Sequence, residues 1–157
     1  MTPSPEIARL WALIDADPMG AEHAGLLRAP ELRPSGYPQT PEACLPFAWT
    51  GGDGVHFSQA PGGAVIMTVP MCPDTPNLAL GDNLREFLAL GLPEGFFMLE
   101  ALAYDRDNGL ARIAARNGPP EGFMASLAKS FALTPWPDLA ARLSALHSAH
   151  AAHLRPA

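Results

Sequence analysis

The chain has 157 residues, 48% of them hydrophobic and 17% charged, with a net charge of −6 and a pI near 5.2. That length predicts one domain spanning residues 1–157 with a sizeable core. The acidic balance, with Lys129 as the lone lysine among scattered arginines, excludes the clustered basic surface that binding nucleic acid demands.

No apolar run approaches the roughly 18 residues that predict a membrane span, and the first residues lack the basic start of a signal peptide. A cytoplasmic protein is the expectation, with Cys44 and Cys72 as reduced thiols. The position of Cys44 before the sheet and Cys72 after it suggests that the two lie near each other.

Ser4 followed by Pro5 predicts a capped helix start, and Ile7, Leu10, Trp11 and Ile14 make one apolar stripe up to Asp17-Pro18. Residues 18–46 hold six prolines. They predict a short helical or irregular piece around 21–27 and a loop at 34–38, wrapping the surface of the core. Phe47–Trp49 and Val55–Ser58 predict strands on either side of Gly51-Gly52-Asp53-Gly54, a turn rich in residues that accept positive φ. Ala64–Val69 has the continuous β-branched character of a central strand covered on both faces. Residues 77–80 add a short edge segment.

From Gly81 onward the pattern is helical. Asp82 or Asn83 caps a helix carrying Leu84, Phe87 and Leu88 that ends at Gly91. Pro93 is expected to open a buried helix through Phe96–Leu99. Further helices carry Leu110 and Ile113, then Phe123, Leu127 and Phe131, then Leu139, Leu143 and Leu146. The fold class is therefore α+β, with a small, mostly antiparallel sheet over about residues 47–80. An N-terminal helix and a helical C-terminal half flank that sheet.

Chemistry concentrates at the glycine corner. Its candidate binding residues are Trp49, Thr50, Gly51, Gly52, Asp53 and His56. The corner matches neither a P-loop nor a dinucleotide fingerprint, since no lysine and no helix follow it. A hairpin turn explains its glycines better than a phosphate cradle does. Strand alternation turns His56 away from the face of Val55 and Phe57. A half-exposed histidine with a hydrogen-bonding job is expected there. Trp49 is the aromatic residue best placed to reach a partner.

An enzymatic alternative uses His56 with Asp53 and either Ser58 or Cys44, as a small hydrolase or transferase, although no nucleophile motif accompanies them. His147, His150 and His153 recur every three residues near the C-terminus without an accompanying carboxylate or cysteine. Their expected role is to complement the negative end of a fraying helix rather than to hold a metal. No cofactor, metal site or catalytic residue is expected.

Leu45-Pro46-Phe47, the Gly51–Gly54 turn, the strand Val65–Val69 and the helix Asn83–Leu90 together resemble the SUKH superfamily over about the middle third of the chain. The shared positions are Leu45, Pro46, Gly51, Gly52 and Asp53. The Leu-Pro pair lies closer to the glycine corner than that pattern has it, and the helical tail after Gly91 has no clear counterpart. The resemblance implies a non-enzymatic protein-binding module with no catalytic residue to carry over, in a family whose bacterial members include immunity and regulatory proteins. Arg in excess over Lys, with abundant Ala and Pro, suggests a GC-rich genome. An acidic chain of this kind suits a basic protein partner, and a homodimer formed through the helical half is a further reading.

Overall fold

A computed structural model describes all residues, 1–157. It is α+β, with five antiparallel strands in the order β1-β2-β3-β4-β5. The strands are β1 (Leu27–Arg28), β2 (Leu45–Trp49), β3 (His56–Gln59), β4 (Val65–Thr68) and β5 (Asn77–Gly81). Helices α1 (Pro5–Ala16) and α2 (Pro18–His23) precede the sheet. After it come α3 (Leu84–Gly91), a 3-10 turn at Phe97–Glu100, α4 (Ala101–Tyr104), α5 (Arg106–Ala115), α6 (Gly122–Phe131) and α7 (Leu139–Ala149). None of these helices is long and apolar enough to cross a membrane.

Local chemistry sets the boundaries. The Ser4 hydroxyl accepts the Ile7 N–H, and Asp17 ends α1 while its carboxylate accepts the Gly20 N–H to start α2. Asn83 caps α3 through the Glu86 N–H, and the Glu86 carboxylate in return accepts the Asp82 N–H, satisfying two amides at that end.

The sheet has two different faces. Phe47, Phe57, Val65 and Met67 face the main core with Ile7, Leu10, Phe87, Phe96 and Leu99. There Phe87 packs on Phe57 and Phe96 with ring centroids 4.7 and 5.2 Å apart. The register Trp49↔His56↔Thr68↔Asn77 runs as one row across the opposite face. Ile66 and Ala79 lie on this face in a smaller cluster with Cys44 and Leu146 of α7. Residues 37–44, α7 and Leu154 pack over it.

The sheet begins earlier than residue 47, because Leu27 and Arg28 pair with Trp49 and Ala48. The helical piece expected at 21–27 instead starts at Pro18 and stops before that strand. Pro93 opens no helix either. Gly95 takes φ +89°, and the Phe96 N–H goes to Ala24 O at 2.8 Å. The chain is therefore bent and tied to the α2–β1 turn before the 3-10 turn begins. β4 is buried at all four positions, as a central strand covered on both faces requires. Neither sheet edge offers a long open strand, since β1 has two residues and β5 is buried at four of its five.

Candidate functional site

The glycine corner joins β2 to β3. Thr50 N–H bonds Val55 O at 3.1 Å, Val55 N–H bonds Gly52 O at 3.0 Å, and the Thr50 hydroxyl accepts the Gly52 N–H at 3.3 Å. Asp53 and Gly54 follow in the left-handed region at φ +51° and +73°, which Asp tolerates and Gly adopts freely. Two rings straddle the bend. A Cβ on Gly52 would lie 2.8 Å from Phe97 Cε2, and one on Gly54 would lie 2.4 Å from the Tyr37 hydroxyl. The glycines thus admit aromatic rings against the backbone, a reason of shape.

His56 is fully buried, not half-exposed. Its Nδ1–H donates to Gly54 O at 2.8 Å, so its Nε2 accepts the Thr40 hydroxyl at 2.8 Å. The Ser35 hydroxyl in turn bonds Thr40, and Ser35 accepts the Tyr37 N–H. Trp49 and Tyr37 pack on the imidazole with centroids at 4.5 and 5.7 Å. Burial holds this imidazole below its ordinary value, with the Gly54 hydrogen bond opposing. It is a neutral structural histidine at neutral pH, fastening residues 35–40 to the corner.

The side chains of the enzymatic alternative do not converge. The ring nitrogens of His56 are occupied by Thr40 and Gly54, not by Asp53 or Ser58. Ser58 Oγ is buried without a hydrogen-bond partner. Cys44 sits among Ala60, Ala64, Ile66, Ala79 and Leu146, where burial pushes its thiol up to about 11. That environment suppresses the thiolate a nucleophile needs. Cys72 belongs to the main core and reaches Ala103 O. The two free thiols are thus divided between the two faces of the sheet rather than adjacent.

Asp53 instead faces a surface formed by later parts of the chain. Burial, and then the charge of Asp53, raise the Glu100 carboxyl above its ordinary value. Partial burial, then Glu100, Cys72 and Asp53, raise the Tyr104 phenol. No cation offsets either group, and neither Asp53 nor Glu100 has an ion-pair partner. Phe97 and Tyr104 are 51% and 54% exposed, and Met71 on the neighbouring loop is exposed too. One end of the sheet therefore presents Tyr37, Asp53, Phe97, Glu100 and Tyr104 together. Sequence reasoning finds Trp49, which is half-buried, and Asp53, but misses the other four. The one available signal is the tandem Phe96-Phe97: successive positions cannot both face a single core, and Phe97 is the one left outside.

The C-terminal histidines divide. His150 Nε2 bonds Asp82 at 2.6 Å, while Arg142 clasps Asp82 at 2.7 Å and both Glu86 oxygens at 2.9 Å. His150, Arg142 and through them α7 are fastened to the start of α3, so this helix end is tied rather than fraying. No group of three or more histidine, cysteine or acidic side chains is arranged to hold a metal. Two surface hollows, of about 170 and 430 Å³, share Ala89, Pro135 and Trp136 on the α3 side, and neither includes the corner.

Comparisons with protein-family models, with curated proteins and with solved structures return no match.

Proposed function

We propose that this protein is a non-enzymatic binding module that engages a basic protein through the end of its sheet. The observation that carries the reading is the meeting of exposed Phe97 and Tyr104 with Asp53 and Glu100, two carboxylates without a cation. Aromatic rings supply buried area and cation–π attraction, and unpaired carboxylates favour an arginine or lysine side chain. The net charge of −6 speeds encounter with a positively charged partner, and added salt weakens that steering. The resemblance to the SUKH superfamily points the same way. It suggests an immunity or regulatory role in a bacterial cytoplasm, where the partner is a basic protein such as a nuclease.

The test compares capture from native lysate by the wild type, the D53K/E100K variant, the F97A/Y104A variant and a control, E121K, at the exposed position just before α6. A basic protein held by the wild type and control, and released by the other two, is the expected outcome. Equal retention by D53K/E100K contradicts the proposal, as does the absence of any retained protein from folded wild type.

A further inference from the structure

Residues 31–43 run from the main core onto the second face of the sheet with few polar ties to it. Their backbone hydrogen bonds close within the segment, Thr40 N–H to Tyr37 O among them. Only two hydrogen bonds reach the sheet: Thr40 to His56 Nε2, and Asn77 Nδ2 to Gln39 O at 2.8 Å. Leu32, in the main core, and Cys44, in the smaller cluster, are buried apolar anchors at either end. Between them Tyr37 is exposed and rests its ring on Trp49 and His56.

We infer that residues 35–41 are a strap over the glycine corner that opens when His56 takes up a proton. In the closed strap the neutral ring donates from Nδ1–H to Gly54 O and accepts at Nε2 from Thr40. A proton on Nε2 makes that nitrogen a donor, so the Thr40 hydroxyl must turn from donating to accepting. The proton that Thr40 turns away goes to Ser35, whose own hydroxyl then points to Tyr37 O at 3.5 Å or to solvent, so the rearrangement runs along the strap. The charge would remain fully buried without a counterion.

Around the ring, the strap contributes Tyr37 as its titratable neighbour, with Glu31, Arg33 and Glu42 out in solvent. The strands contribute Trp49, Ser58, Thr68 and Asn77, none of which titrates. His153 precedes Leu154, whose carbonyl is held by Asn77. Opening bares Trp49 and Tyr37, enlarging the aromatic surface beside Asp53. That effect on binding rests on the recognition role proposed above, whereas the opening itself does not.

Amide exchange of the isolated full chain between pH 7.5 and 5.0, normalised for intrinsic exchange, tests the strap without any partner. Exchange at Tyr37 and Thr40 is expected to rise by up to about tenfold per pH unit below about 6.5, while Phe57 and Met67 stay protected. The H56Q variant, which leaves His153 in place, is expected to lose this acid response. Strap protection indifferent to pH, or an unchanged response in H56Q, overturns the inference. Should H56Q not fold, the wild-type imidazole resonances decide. Strap amides titrating with the His56 midpoint support the latch, and a ring that titrates while strap signals stay fixed refutes it. Loss of a protein partner in the capture experiment leaves these outcomes untouched.

Discussion

Removing the Asn77 side chain is predicted to be among the most damaging polar substitutions in this fold. Asn77 is 4% exposed and accepts the Thr68 hydroxyl at 2.7 Å while its amide donates to Gln39 O at 2.8 Å and Leu154 O at 3.1 Å. One side chain thereby joins β4, the 31–43 segment and the C-terminal turn. In N77A three groups lose their partner at a covered face. At a net value of about 1 kcal/mol per hydrogen bond, more where a group stays dry and unpaired, the loss is about 3 kcal/mol. For a chain of this size that corresponds to a fall in Tm of roughly 6–12 °C.

Urea and thermal unfolding followed by far-UV circular dichroism give the number. A cycle with T68V tests its origin, because the Thr68 hydroxyl bonds only to Asn77 in this structure. The double variant should lose less than the sum of the two singles. A loss below about 0.5 kcal/mol in N77A, against the expected hydrogen-bond value, or strict additivity with T68V, would refute the role given to this row.

Other outcomes follow from the same contacts. The His150 hydrogen bond, then that of Arg142, lowers the Asp82 carboxyl below its ordinary value near 3.8. The stability this supplies is complete above that value and is lost as the pH falls through the lower folded one, so D82N should flatten the acid limb of a stability–pH curve. Cys44, held up to about 11 by burial, should react with a thiol reagent at pH 8 far more slowly in the native state than after unfolding. Rapid native labelling of Cys44 would show that its surroundings are open. G54A should cost about 1–2 kcal/mol for its left-handed backbone alone, with the Tyr37 contact added. By contrast, G52A meets the free edge of an exposed ring that can swing aside, and should stay within about 1 kcal/mol of wild type in the same melts.

Much of the fold is legible in the sequence because it is locally encoded. Ser4-Pro5, Asn83 with Glu86, and the Ile7–Ile14 stripe each fix a helix through neighbours within a turn or two. The alternation around His56 correctly separates it from Phe57. What cannot be read is what lies over each face. Residues 31–44 carry no periodicity, yet they cover His56 and turn a half-exposed expectation into complete burial. Two residues of β1 are too few to leave a strand pattern. The Pro93 segment has helical spacing but is diverted by Gly95 and by the Phe96–Ala24 hydrogen bond, a contact across more than 70 positions. The candidate surface is harder still, since Asp53 meets Glu100 and Tyr104 only after the sheet and α4 have packed.

The proposal that the acidic, aromatic end of the sheet recognises basic protein segments is most directly tested by an NMR titration of the full chain with an arginine-rich peptide. Shift changes are expected to centre on Gly52, Asp53, Phe97, Glu100 and Tyr104, to shrink on adding salt and to vanish in D53K/E100K. Changes spread evenly over acidic side chains around the molecule, or surviving intact in that variant, would contradict it.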